Sequence, residues 1–236
     1  SACGSLVLER FLVLLAAGKG ERLRPLTETR PKPLLPVLGE PLVCRHLRLA
    51  LSRGSYDRVL VVASYMRELL SSAIASCGFN VELVDQGGEF GTGHAILRAM
   101  EYGGPGVYTF IYSDIYITPE VYDVLGRLES PAILASTTSR PGDYGVLLVD
   151  GGRLRGILEK PGEGAPSNLV FAGVIKIDYD YIRYFRNLKP SPRGELEATD
   201  AITSIAADYE VKVVRIPEGA WIDVGRPWDL LLASRA

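Results

Sequence analysis

Phe11-Leu12-Val13-Leu14-Leu15-Ala16-Ala17-Gly18-Lys19-Gly20-Glu21-Arg22-Leu23-Arg24-Pro25 is an apolar run that opens directly onto a glycine-containing, basic loop. A short apolar run of this kind suits a strand buried on both faces, as in a parallel sheet. Glycine lacks a Cβ and tolerates unusual dihedrals, so backbone N–H groups after such a strand can approach phosphate oxygens. Two common phosphate loops are excluded. The dinucleotide fingerprint needs a third glycine where Leu23 stands, and the P-loop needs Gly-Lys-Ser/Thr, whereas Lys19 is followed by Gly20 and Glu21. An isolated G-x-G is equally a tight turn, so the surroundings decide. Arg22, Arg24, Arg30 and Lys32 crowd into a stretch ending Pro31-Lys32-Pro33-Leu34-Leu35-Pro36. Prolines at 25, 31, 33 and 36 rule out a continuous helix there and predict a long functional loop rather than a merely solvated basic one.

Outward from that strand, the apolar runs 58–63, 81–84, 107–112 and 132–135 predict further strands of a parallel sheet. Segments 42–53, 66–76, 93–102 and 119–128 carry helical spacing between them. The alternation predicts an α/β fold, a Rossmann-like sandwich with a mostly parallel central sheet, with ligands at the carboxyl ends of the strands. After Tyr144 the strands shorten (146–149, 155–159 and 170–177), with an Asp150-Gly151-Gly152 turn between the first two, which predicts a smaller mixed or antiparallel portion. Helices near 178–186 and 198–207, a strand at 211–216 and a last helix from Pro227 complete the chain. Proline and glycine clusters at 103–106, 162–166 and 189–194 read as loops, leaving one domain over 1–236.

Composition narrows the partners. The 236 residues are 47% hydrophobic and 23% charged, enough for a sizeable core, and the formal net charge of -2 leaves no footprint for nucleic acid or an anionic membrane. Cys3, Cys44 and Cys77 are odd in number and form no C-x-x-C pair, which predicts neither a disulfide framework nor a zinc site and fits a reducing compartment. The run 6–18 resembles a signal peptide, but Glu9 and Arg10 interrupt it and it falls short of the ~20 residues that span a bilayer. With no targeting segment read, a cytoplasmic location is expected.

The motif Leu15-Ala16-Ala17-Gly18-x-Gly20-x-Arg22-Leu23-x-Pro25-Leu26-Thr27, followed by Pro31-Lys32-Pro33-Leu34-Leu35-Pro36-Val37, resembles the signature of sugar-1-phosphate nucleotidyltransferases, with Glu21 where many members have Thr or Ser. The resemblance continues through Gln86, Gly91-Thr92-Gly93-His94-Ala95, Ser113-Asp114, Tyr144-Gly145-Val146, Glu159-Lys160-Pro161, Ala172-Gly173, Arg193-Gly194-Glu195-Leu196-Glu197, Thr199-Asp200 and Trp221-Ile222-Asp223-Val224-Gly225. It implies a GT-A-like domain with a nucleotide-binding half, about 1–143, and a sugar-phosphate-binding half, about 144–236. It also implies attack of a sugar-phosphate oxygen on the α-phosphorus of a nucleoside triphosphate with loss of pyrophosphate. A phosphate monoester is already an anionic nucleophile, so positioning and cations carry such catalysis.

By the same resemblance Arg22 and Lys32 are the catalytic residues, a planar fork on the triphosphate and a point charge beside the α-phosphate. Asp114 and Asp223 are implied ligands of Mg2+, which takes one or two carboxylates plus phosphates and water. Ala17, Gly18, Gly20, Gln86, Gly91 and Thr92 are implied to hold the nucleotide; Gly145, Glu159, Lys160 and Arg193 the sugar phosphate. His94 is expected to be a structural part of the loop-to-helix turn and His46 to pack within its helix. The expected partners are a nucleoside triphosphate and a sugar 1-phosphate, with no nucleic acid and no membrane; a homo-oligomer stays open.

Substrate signals conflict. Gly-Thr-Gly-His-Ala is similar to uridylyltransferases that make activated N-acetylglucosamine, whereas Arg193 to Glu197 is similar to glucose-1-phosphate thymidylyltransferases. Phe171 stands where N-acetylhexosamine enzymes often have Asn, so glucose 1-phosphate and N-acetylglucosamine 1-phosphate both stay open, as do UTP and dTTP, with GTP or CTP as the alternative. No hexapeptide repeat follows, so no acetyltransferase activity is expected in this chain. A nucleotide-binding oxidoreductase is disfavoured by the missing third glycine, and a non-catalytic nucleotide-sugar sensor by Arg22, Lys32, Asp114 and Asp223.

Overall fold

The structure, a computed structural model, describes residues 7–17, 26–28, 30, 32–64, 66–88 and 90–235. In chain order its strands are β1 (Arg10–Leu15), β2 (Pro36–Val37), β3 (Glu40–Pro41), β4 (Arg58–Ala63), β5 (Glu82–Asp85), β6 (Val107–Tyr112), β7 (Ile115–Ile117), β8 (Ala132–Thr137), β9 (Gly145–Asp150), β10 (Arg153–Glu159), β11 (Leu169–Asp178), β12 (Lys212–Arg215) and β13 (Trp221–Asp223). The helices are α1 (Leu42–Arg53), α2 (Arg67–Ser76), α3 (Thr92–Gly103), α4 (Pro119–Leu125), α5 (Ile182–Arg186), α6 (Ala198–Asp208) and α7 (Pro227–Ala233).

The apolar run at 11–16 folds as the sequence predicts, and its burial shows why. Phe11, Val13 and Leu15 pack on one face of the sheet with α3 and α6, while Leu12, Leu14 and Ala16 pack on the other with α1 and α2. A strand needs apolar residues at every position when both faces are covered. Around it the sheet runs β6-β1-β4-β5, all parallel, with Leu15 opposite Tyr112 and Val62. The carboxyl ends of β1, β4 and β6 therefore lie side by side.

Beyond β6 the sheet turns antiparallel through β11, which continues to β9 and β10 and also pairs with β8. Its register shifts between Phe171 and Ile175, around Gly173 at φ +78°, a dihedral that glycine adopts without steric cost. The α/β sandwich with an antiparallel portion thus stands, but β8 does not belong to the parallel set in which its apolar run had placed it. It runs antiparallel to β11 and parallel only to β12. An apolar run reports burial on two faces and carries no sign of a neighbour's direction. Helix α4 ends at Leu125, short of 128, and 178–186 divides into a 3-10 turn, Tyr179–Tyr181, followed by α5.

A second correction concerns the cysteines. Cys44 on α1 and Cys77 at the end of α2 form a disulfide, with Cα atoms 6.3 Å apart. Both helices pack on the same face of the sheet, which brings together residues 33 apart in sequence. An odd cysteine count cannot register that proximity, and cysteine usage no longer argues for a reducing compartment. Cys3 lies outside the described residues. Among the described residues no helix is long and apolar enough to cross a membrane.

Candidate active site

Two short strands missed by the sequence reading assemble the centre of the site. β6 ends at Tyr112; Ser113 then donates from its backbone N–H and its hydroxyl to the Leu15 carbonyl, at 3.1 and 2.7 Å, which fixes the chain beside the exit of β1. Asp114 comes next and is followed by β7, so it does not cap a helix. β7 pairs antiparallel with β13, Ile115 opposite Asp223, and the Val224 N–H donates to the Asp114 carbonyl at 2.9 Å. Two aspartates 109 positions apart in the chain thus stand on adjoining backbones.

Lys32 reaches the same place. It begins a 3-10 turn, Lys32–Leu34, whose Pro33 and Leu34 are buried, and its Nζ donates to Asp114 Oδ2 at 2.8 Å. Its side chain is 13% exposed and that of Asp114 35%, so the pair is partly buried and still reached by solvent. Two carboxylates on neighbouring strands are a hard-oxygen donor set that suits Mg2+, which completes its shell with phosphate oxygens and water. Among the described residues no cluster of three or more histidines, cysteines or acidic residues is placed to hold a metal ion.

A second group forms where β5 leaves the sheet. Gln86 is 6% exposed; its backbone N–H donates to the Ala63 carbonyl at 3.2 Å and its side-chain amide to the Gly91 carbonyl at 3.2 Å. Gly91 at φ +112° precedes α3, and a Cβ there would strike the Leu196 backbone. The Gly93 N–H donates to the Leu196 carbonyl at 2.7 Å and the Ala198 N–H to Thr92 Oγ1 at 3.0 Å. These bonds join segments 90–93 and 196–198. Ala17 is half-buried past the end of β1. Arg22, Gly18 and Gly20 lie outside the described residues.

The third group lies on the antiparallel side. Gly145 and Glu159 are register partners across β9 and β10, and a Cβ at 145 would come within 3.2 Å of Glu159 Oε2. That oxygen accepts from Thr199 Oγ1 at 2.9 Å. The next residue, Lys160, has φ +44° and donates its backbone N–H to Tyr144 at 3.0 Å. Arg193 stands 4.0 Å from Glu159 and donates to Glu197 at 2.5 Å. Glu197 is 6% exposed, and burial raises its carboxyl pKa although Arg193 opposes the shift. Arg193 is therefore held by carboxylates of its own chain, which the sequence reading did not foresee.

Tyr112 links the three groups. It is partly buried at the end of β6, its hydroxyl hydrogen-bonds with Thr92, and desolvation, with the charges of Glu159, Glu197 and Asp114 adding to it, drives its pKa upward. Tyr144 makes a similar bridge: its ring packs edge-on against Trp221 at 5.2 Å, and burial, then the Asp223 charge, raises its pKa. Tyr144 belongs to the Tyr144-Gly145-Val146 motif, whereas Tyr112 read only as the last residue of an apolar strand. His46 is buried within α1 as expected, and His94 lies in the first turn of α3, its Nε2 near Gly87.

Comparison with known proteins extends this picture. The chain matches the nucleotidyl transferase family over residues 12–236. It is 38% identical over 222 residues to a bifunctional sugar-1-phosphate nucleotidylyltransferase/acetyltransferase of Sulfurisphaera tokodaii, covering 92% of this chain and 53% of the relative. It is 34% identical over 224 residues to the bifunctional protein GlmU of Methanocaldococcus jannaschii, covering 94% and 53%. The chain spans about half the length of these curated relatives. A crystal structure of UDP-glucose pyrophosphorylase complexed with UDP-glucose superimposes with a TM-score of 0.81 at 23% identity, over 97% of this chain and 98% of that one, a likeness of fold. The family match runs from β1 through the last helix, and the chain belongs to the nucleotidyl transferase family.

Proposed function

We propose that the chain transfers a nucleotidyl group from UTP or dTTP to a sugar 1-phosphate, either glucose 1-phosphate or N-acetylglucosamine 1-phosphate, and releases pyrophosphate. The observation that carries this reading is the convergence of Lys32 Nζ, 2.8 Å from Asp114, with Asp223 on the adjoining strand, beside the carboxyl end of β1. The family membership and the sugar-1-phosphate nucleotidylyltransferase name of the Sulfurisphaera relative support it. On this reading residues 1–143 serve the nucleotide and 144–236 the sugar phosphate, within one domain.

The chemistry follows from charge. A sugar-phosphate oxygen attacks the α-phosphorus as the bond to pyrophosphate breaks, and no protein nucleophile is needed. Lys32 sets a compact positive charge where negative charge crowds, and Arg22, which follows β1 in sequence, supplies a planar fork for the triphosphate. Bound between Asp114 and Asp223, Mg2+ would offset charge on the phosphate oxygens. Gln86, held by Gly91, offers an amide edge to a pyrimidine, with Ala17, Gly18, Gly20 and Thr92 completing the nucleotide contacts. Glu159 would accept from sugar hydroxyls, with Gly145 giving backbone access and Lys160 and Arg193 facing the sugar phosphate. Arg193 meets that phosphate only if it loosens its bond to Glu197.

Pyrophosphate release with Mg2+, using UTP, dTTP, CTP, GTP and ATP against glucose, N-acetylglucosamine, galactose and mannose 1-phosphates, tests the reading. Release that requires both substrates and favours a uracil or thymine nucleotide is expected, and Gln86→Ala should alter base preference. Nucleotide binding without release from any pair would favour a sensor instead.

A further inference from the structure

Helix α1 buries two polar side chains that the transfer chemistry does not use, Arg45 at 3% exposure and His46 at 0%. Among the described residues the close contacts of Arg45 are neutral. Its Nη1 donates to the Ile117 carbonyl at 2.8 Å and lies 3.4 Å from the Tyr122 hydroxyl, while the guanidinium sits 4.2 Å over the Tyr116 ring. His46 Nδ1 is 2.7 Å from the same Tyr122 hydroxyl, and the imidazole also faces the backbone of Ser113 and Ile115. Its Nε2 is buried without a hydrogen-bond partner among the described residues.

Burying a guanidinium whose hydrogen-bond partners are neutral costs stability that an apolar side chain of similar volume would not. The contacts converge on one segment. Ser113 and Ile115 flank Asp114; Tyr116 and Ile117 complete β7, the strand that pairs with the one bearing Asp223. On its other side Ser113 is tied to Leu15 at the exit of β1.

We propose that Arg45 and His46 are positioning residues for the metal-binding carboxylates: α1 grips the backbone on both sides of Asp114 and along β7, fixing that carboxylate against Lys32 and Asp223. The inference rests on the nucleotidyl-transfer reading above. Groups that orient metal ligands without touching the metal change affinity or activity by about 10–100-fold when removed. Arg45→Met and His46→Gln are therefore expected to weaken Mn2+ binding by about that factor, read by electron paramagnetic resonance of the protein with UTP, and to lower kcat while the sugar-phosphate KM holds.

Arg45→Lys, which keeps the charge and one donor toward Ile117, should recover part of the affinity. Leu70→Ala, a core truncation in α2, should lower the thermal midpoint without altering Mn2+ affinity. Should Arg45→Met fail to fold, Arg45→Lys and His46→Gln carry the comparison. Variants that lose thermal stability yet bind Mn2+ and turn over like the unaltered protein would reduce both residues to packing and overturn this inference alone. Absence of Mn2+ binding by the unaltered protein with both UTP and dTTP would overturn the transfer reading, and this inference with it.

Discussion

Acid should destabilise this fold through one histidine. His46 is fully buried, and its pKa falls from the ordinary 6.5 to about 4, chiefly because burial penalises the charged ring and secondarily because Arg45 lies beside it. The backbone of Ser113 and Ile115 and the Asp114 charge act in the opposite direction and do not prevail. Above pH 6.5 the ring is neutral in both folded and unfolded chains and costs nothing. As pH falls the unfolded chain takes up the proton first, so stability declines from near 6.5 down to about 4 and then levels off. At 1.36 kcal/mol per pH unit the gap amounts to about 3 kcal/mol, a large share of the ~5–15 kcal/mol typical of a domain.

Urea unfolding of the unaltered protein and of His46→Gln at a series of pH values between 7 and 4 measures the effect. Carboxylates such as Glu82, held below its usual range by the Arg58 guanidinium, lose stability on acidification in both proteins and drop out of the difference. The unaltered protein should lose about 3 kcal/mol more than the variant over that interval. Parallel pH dependence in the two proteins would refute the assignment of a neutral, buried His46.

Other outcomes follow from the same geometry. Asp223→Asn, which removes one of two paired-strand carboxylates, should lower turnover by about 10²-fold or more and raise the Mg2+ concentration for half-maximal rate; unchanged Mg2+ dependence would remove Asp223 from the site. Gly91→Ala places a Cβ against the Leu196 backbone at φ +112° and should cost about 1–3 kcal/mol, read by urea midpoint, with no loss speaking against the junction between segments 90–93 and 196–198. Reduction of the Cys44–Cys77 bond, which closes a loop of sequence separation 33, should lower stability by about 3–4 kcal/mol on the chain-entropy account; identical urea curves with and without reductant would contradict that.

What could be read before the structure was whatever repeats or punctuates. The run 11–16 states burial on two faces at every residue, and helix α1 matches its expected span of 42–53 because its apolar spacing continues to Gly54. β7 and β13 escaped because three residues are too few to show a period, although together they bring Asp114 and Asp223 side by side. The direction of β8 was illegible because an apolar strand says nothing of which neighbour it meets. His46 was expected to pack within its helix, but nothing in the sequence marks Arg45, which is buried because β7 and Tyr122 cover it. Arg193 read as a sugar-phosphate contact in a loop, and only the folding of α6 against β10 shows Glu197 and Glu159 beside it. The pairings among the motif residues are tertiary and leave no trace in the sequence.

The most direct test of the central claim is turnover by Lys32→Ala with Mg2+ and the preferred substrate pair. If Lys32, set 2.8 Å from Asp114, stabilises charge in the transfer step, kcat should fall by about 10²–10³-fold while KM for either substrate changes little. Full turnover by Lys32→Ala would contradict the account.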